Sequence, residues 1–328
     1  MSHSVTQEQW SSWRGFLLAA IGFSVGLGNI WRFPYVAGEN GGSAFVIIYL
    51  ACAFIIGLPL LVSELAIGRL GRLDPPGCFR VGATRRGRSE AWSAIGTLSI
   101  ICVFVVLSFY TVLSGWTFDY FVRGVRGAFA GIDAATSTAM FEGLMGDPWR
   151  LLFWHAVVNV LIIVVIRRGV QEGVERAAKL LMPILFGALI LMFFYSLVAG
   201  DMAAAVTFLL QPDFSAVTPK TVMIAVGQAF FSVGVMMATM ITFGAYLPDH
   251  VSIPKSATII IFADTGVAIL AGLVIFPLVF AYGLAPTEGA GLIFQTLPVA
   301  FGQMPGGHLF GAVLFLLLIV AALSSCLG

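Results

Sequence analysis

Four side chains stand inside long apolar runs, where hydrocarbon would tolerate none of them: Asn29, Arg32, Glu64 and Asp264. A carboxylate at the centre of a membrane helix costs about 2.5–3.5 kcal/mol on insertion scales, so its default reading is functional. Asp264 is the sharpest case, at the middle of the run 256–283. Asn29 and Arg32 lie in Gly22-Phe23-Ser24-Val25-Gly26-Leu27-Gly28-Asn29-Ile30-Trp31-Arg32-Phe33-Pro34, which reads as a poor helix. Gly22, Gly26 and Gly28 each cost about 1 kcal/mol against Ala in a helix interior. Backbone N–H and C=O groups freed in lipid must be satisfied by protein, water or ligand. The stretch therefore reads as an unwound binding segment rather than a lipid-facing span.

Phe231-Ser232-Val233-Gly234 repeats Phe23-Ser24-Val25-Gly26 inside a second apolar segment, about 221–247. In a chain rich in Phe, Val and Gly, four matching residues also arise by chance. Paired Gly-interrupted spans are nonetheless the sequence pattern of a site built between inverted repeats.

The elements that must position these residues are membrane helices. The 328 residues are 59% hydrophobic and 10% charged, with mean hydropathy +0.99. No soluble domain buries that much apolar surface. The net charge of +1 says little, and with no long basic tract no nucleic-acid partner is expected. Cys52, Cys102 and Cys326 fall in apolar spans and Cys78 in a loop, which supports neither a disulfide framework nor a zinc site. The polar N-terminus runs into a full-length span without a cleavage pattern, so no signal peptide is expected.

About 20 apolar residues cross the bilayer core. Candidate spans are 15–37, 43–68, 92–122, 150–167, 177–199, 221–247, 256–283 and 309–328. Arg69, Arg72, Arg80, Arg85, Arg86 and Arg88 follow the second span, and Arg167, Arg168, Arg176 and Lys179 follow the fourth. This bias places the N-terminus in the cytoplasm of a multi-pass protein of the cell (plasma or inner) membrane. The basic loop could also touch anionic lipid, but insertion orientation explains it with less. Residues 123–149 read as an exposed loop with a short helix. Residues 284–308 are too apolar for a solvated loop and too short to span, which predicts a re-entrant lid.

Gly26-Leu27-Gly28-Asn29-Ile30-Trp31-Arg32-Phe33-Pro34-Tyr35, Glu39-Asn40-Gly41-Gly42, Ser63-Glu64-Leu65-Ala66-Ile67-Gly68-Arg69 and Gly227-Gln228-Ala229-Phe230-Phe231-Ser232 follow one another in order. With the 292–307 lid, they resemble the neurotransmitter:sodium symporter family over nearly the whole chain. The first motif is highly specific. The resemblance implies an all-α polytopic membrane protein with the inverted-repeat sodium symporter fold and broken helices 1 and 6. Its parts would be a cytoplasmic N-terminus 1–14, a first five-helix repeat 15–199 and a partial second repeat 200–328. The chain ends inside an eighth span whereas the family pattern needs at least ten, so a C-terminally incomplete fragment is expected.

The family pattern implies one or two sodium ions, a hard cation suited to oxygen ligands. The first site would use the Ser24 carbonyl, Asn29, Ser232 and Asp264, completed by the substrate carboxylate. The second would use the carbonyls of Gly22, Val25 and Ala321 with the hydroxyls of Ser324 and Ser325. Read alone, these serines are as readily hydroxyls back-bonding to helix carbonyls. Gly26 stands where the family's monoamine carriers place Asp, which leaves room for the carboxylate of an amino acid. Tyr110 would donate to that carboxylate, although a lone Tyr in a span is by itself an ordinary packing residue. Phe23, Val106, Phe231, Gly234 and Met237 would complete an apolar wall, with Ser24, Ser232 and Ser325 beside it. Ala268 replaces the serine that binds chloride in many relatives. Chloride independence is therefore expected, with Asp264 supplying the negative charge; a protonated Asp264 is the alternative. Arg32, Gln228 and Phe231 would gate the outside, and Trp10 and Tyr246 the inside. Gln7 stands where relatives carry an inner-gate Arg. Glu64 is expected to tie down unwound backbone of the sixth span.

The substrate would be a small neutral amino acid with a hydrophobic side chain. A non-transporting module of such a protein is the alternative. An intramembrane enzyme has no support: no Ser/His/Asp or paired-Asp constellation occurs, and His155 reads as a packing residue.

Overall fold

The computed structural model describes residues 8–285 and 291–328, with Ala216 in backbone only. Gln7 and lid positions 286–290 lie outside the described residues. Every regular element among the described residues is a helix. Unbroken spans run Ser43–Gly71, Glu90–Val125, Pro148–Ile166, Val170–Ala199, Ile253–Ala281 and Gly307–Cys326. Two further paths are broken. Trp13–Ser24 and Gly28–Glu39 meet at 45°, and Pro219–Val233 is parted from Thr239–Ala245.

Local chemistry starts these helices where the apolar runs begin. Ser12 caps the first by accepting from Gly15 N at 3.0 Å. Asp147 caps the fourth span ahead of Pro148. Thr218 and Thr221 form a reciprocal capping box ahead of Pro219. Each such cap contributes about 1 kcal/mol, and proline suits the first helical turn, which needs no N–H there.

Burial sorts the spans into centre and periphery. In their most apolar windows, 72% of residues are buried in Gly307–Cys326 and 61% in Ile253–Ala281, against 11% in Pro148–Ile166. The peripheral spans present residues such as Phe104, Leu152 and Phe153 outward, the surface a bilayer would cover. The central spans meet the two breaks.

Connections carry more structure than the hydropathy pattern alone predicts. Short helices form at Pro75–Thr84 and Met202–Leu210. The helix expected within 123–149 is Ala134–Met145. That segment is not simply exposed, because Phe129, Ile132 and Leu144 are buried. Phe129 packs on Tyr120 and Phe315, closing the ends of the third and eighth spans. Residues 292–303 fold back on the bundle as a π-turn, Leu292–Thr296, followed by Leu297–Gln303. Phe294 there meets Trp31 and Trp116 edge-on.

Candidate functional site

The first break arises where amides leave the helix ladder. In a continuous helix Gly26 N would reach the Gly22 carbonyl; instead it donates to Asn29 Oδ1 at 3.2 Å. Leu27 N, which would reach the Phe23 carbonyl, donates to Tyr110 Oη at 2.9 Å. The Phe23 carbonyl accepts the Ser325 hydroxyl at 2.9 Å. A Cβ on Gly26 would lie 2.2 Å from Ser325 Oγ and 2.6 Å from Tyr110 Oη. Only glycine lets the eighth and third spans approach so closely.

The second break is built from left-handed backbone. Gly234, Met236 and Ala238 have φ of 72°, 66° and 63°. Met236 N donates to Glu64 Oε1 from the second span, as expected for that buried acid. The two breaks touch: Ser24 Oγ donates to the Val233 carbonyl at 3.2 Å, and Gly234 lies against the Phe23 ring.

Behind them sits a polar cluster sealed from the surface. Asn29, Gln228 and Asp264 are all 0% exposed. Asn29 Nδ2 donates to Asp264 Oδ1 at 2.8 Å, to the Asp264 carbonyl at 2.9 Å and to Ser232 Oγ at 2.9 Å. Ser232 Oγ donates to Asp264 Oδ2 at 2.7 Å. Among the described residues, no Lys, Arg or His pairs with Asp264. A buried carboxylate met only by neutral groups is an electrostatic deficit. A hard monovalent cation held by oxygen donors fits that deficit. No group of three His, Cys, Asp or Glu occurs among the described residues, so the donor set suits an alkali cation rather than a transition metal.

A cavity of about 60 Å³ opens beside this cluster, lined by Phe23, Ser24, Gly26, Val106, Tyr110, Phe231, Gly234, Met237 and Ser325 among others. Ser232 does not line it but lies behind Phe231, against Asp264. At the far end, Arg32 donates to Gln228 Oε1 and stands 5.1 Å from the Phe231 ring centroid. Gln228 Nε2 donates to the Gly28 carbonyl at 3.0 Å. At the opposite end, Trp10 donates through N to Tyr246 O at 3.2 Å and through Nε1 to Phe243 O at 3.0 Å. Gly22 and Ser324 are neighbours, and Ser324 Oγ donates to the Ala321 carbonyl at 2.9 Å. The back-bonding weighed for the serines is thus present in Ser324, whereas Ser325 turns to the first break.

Comparison with known proteins decides the family. The Sodium:neurotransmitter symporter family model matches residues 7–137 and 145–328. The chain belongs to the sodium:neurotransmitter symporter family. A symporter of this family, it is a multi-pass membrane transport protein. It is 40% identical over 317 residues to the uncharacterized sodium-dependent transporter YhdH of Bacillus subtilis (strain 168), covering 97% of this chain and 69% of that protein. It is 32% identical to an uncharacterized sodium-dependent transporter of Haemophilus influenzae, covering 97% and 71%. It superposes on the crystal structure of MhsT in complex with L-phenylalanine with a TM-score of 0.89 and 40% identity, covering 98% of this chain and 72% of that one.

Sequence reasoning missed three contributors. Tyr49 Oη lies 3.1 Å from Ser232 Oγ and 3.4 Å from Asp264 Oδ2; a phenol inside the apolar run of span two was the available signal. Val103 and Leu107 also line the cavity. Their spacing from Val106 and Tyr110 puts all four on one helical face.

Proposed function

We propose that this symporter carries a neutral, hydrophobic amino acid together with sodium, by alternating access and without a chloride requirement. The observation that supports it most is Asp264, a fully buried carboxylate with neutral described partners beside the breaks of two spans. Sodium is cargo here rather than a resident cofactor.

One ion would take the Ser24 carbonyl, Asn29, Ser232, Asp264 and the substrate carboxylate. Asn29 Nδ2 now faces the acidic cluster while Oδ1 holds Gly26 N. Half a turn of that amide offers Oδ1 to the ion and releases the Gly26 N–H toward the substrate carboxylate. Each bound species then prepares the site of the other, and by linkage the coupling is reciprocal. Tyr110 completes the carboxylate cradle. A second ion would take the carbonyls of Gly22, Val25 and Ala321 with Ser324 and Ser325. Their hydroxyl hydrogens are donated elsewhere, which leaves oxygen lone pairs for a cation.

The wall of Phe23, Val106, Phe231 and Met237 favours an apolar side chain, and Gly26 offers no acid to an amine. MhsT, with its L-phenylalanine, supports the same class. Ala268 is buried and carries no hydroxyl for chloride, so Asp264 supplies the negative charge. Arg32, Gln228 and Phe231 would close the outside, and Trp10 and Tyr246 the cytoplasmic side. Residues 15–199 and 200–328 would be the two repeats, the second in part. With 100 mV and a tenfold gradient, two sodium ions supply about 7 kcal/mol, enough for about 10⁵-fold accumulation.

Uptake of a labelled amino-acid panel into proteoliposomes, in sodium against choline and in chloride against gluconate, tests the reading. Hydrophobic amino acids are expected to accumulate only in sodium and equally with either anion. Uptake indifferent to sodium would overturn the coupling. Uptake abolished in gluconate would overturn the role given to Asp264.

A further inference from the structure

Away from the central site, a groove of about 600 Å³ lies among the end of the second span, the Pro75–Thr84 helix and the start of the third. Its floor includes Ile67 and Phe79, which pack around Cys78, Ala238 and Ile241. Its open side carries Leu70, 68% exposed, and Trp92, 52% exposed. Arg85, Arg86 and Arg88 line the same groove.

Five of the six arginines of this loop divide by what they touch; the sixth, Arg80, is exposed and does not line the groove. Arg69 donates to the Val251 carbonyl at 2.6 Å, and Arg72 pairs with Asp249 at 2.6 Å. These two are absorbed in anchoring the loop after the sixth span. Arg85, Arg86 and Arg88 have no ion-pair partner among the described residues. Insertion orientation explains a basic loop. It does not explain three unpaired guanidiniums around a preformed apolar groove between helix ends. The groove sits where one apolar span ends and the next begins, the depth at which headgroups would meet such spans, and Trp92 is the amphipathic ring favoured there.

We propose that this groove binds an anionic phospholipid, its phosphate among Arg85, Arg86 and Arg88 and its upper acyl chain along Leu70, Phe79 and Trp92. Guanidinium forks match phosphate oxygens in charge and geometry, and basic pockets between membrane helices recognise such headgroups. A soluble anion would satisfy the arginines but leave the apolar walls uncovered.

Native mass spectrometry of the detergent-purified protein, mixed with equimolar phosphatidylglycerol and phosphatidylcholine, tests this. The parent is expected to retain phosphatidylglycerol at least about ten-fold over phosphatidylcholine. Two variants each lose that preference for a different reason. Arg85→Gln/Arg86→Gln/Arg88→Gln removes the charge. Gly82→Leu adds bulk to the groove lining with the arginines intact, since Gly82 lines the groove and a Cβ there meets nothing within 4 Å. Arg126→Gln/Arg168→Gln, exposed arginines elsewhere, keeps the preference. Circular dichroism and gel filtration check the fold, and Gly82→Leu alone decides the matter if the triple variant does not fold. Equal retention of both lipids by the parent would overturn the proposal. So would loss in only one of two folded variants, which would reduce the effect to charge or to bulk alone.

Discussion

The two breaks face one another across the same cavity, yet they are held open by different means. Around the first, Val25 and Leu27 keep ordinary negative φ, −77° and −58°, and the diverted amides are taken by Asn29 and Tyr110. This break is relaxed: glycine, an amide side chain and a phenol give the freed groups partners close at hand. The second break forces Met236 and Ala238 into left-handed backbone, which costs about 1–3 kcal/mol at each non-glycine residue. Glu64, far away in sequence, pins it through Met236 N. One break is a rearrangement of hydrogen bonds, and the other is strain restrained by a clamp.

The largest effect is expected from releasing that clamp. Glu64→Ala should cost about 3 kcal/mol, through a lost charged hydrogen bond and an orphaned amide next to strained backbone. Thermal unfolding in detergent would read this as a clear fall in Tm. An unchanged Tm would show that the second break holds itself open.

Asn29→Ala should lower sodium-dependent amino-acid binding about 100-fold, because it removes the amide on which ion and substrate both depend. Scintillation proximity binding across a sodium series would show the loss. Retained affinity would detach the first break from ion coupling.

Tyr110→Phe leaves Leu27 N without its described acceptor and should cost about 1–2 kcal/mol in the same melt. Since the cavity lies alongside, a peptide that recovers a partner from water would show a smaller shift.

The smallest effect should separate the breaks most sharply. Met236→Gly relieves a left-handed residue whose side chain is 61% exposed, and should raise stability by about 1 kcal/mol. At the first break, Leu27→Gly relieves nothing and empties a buried position, so it should lower Tm. Matching signs at the two positions would refute the distinction between relaxed and strained breaks.

Much of the site was legible in the residues. Asn29 and Asp264 stand out because hydrocarbon penalises them, Ser232 enters as a ligand only through the family resemblance, and all three meet in one cluster. The expected pair of Arg32 with Gln228 and of Trp10 with Tyr246 also contact each other. Tyr49 escaped notice because aromatic residues are common in membrane helices, and its role depends on which neighbour its hydroxyl meets. The burial of Phe129 and Leu144 escaped for the same reason. A loop that caps a bundle and a loop in water differ in what lies beneath them, not in local pattern.

The sequence by itself determined that this is a membrane protein of eight apolar stretches, that the first and sixth are interrupted, and which polar residues sit at membrane depth. Hydropathy and the backbone cost of glycine act locally, so they can be read residue by residue. Only the tertiary structure decided which atoms take up the freed peptide groups: Tyr110 for Leu27, Ser325 for Phe23, Glu64 for Met236. Those partners come from other spans. A hydrogen bond across a bundle is fixed by packing geometry to within a few tenths of an ångström, and no spacing along the chain encodes that.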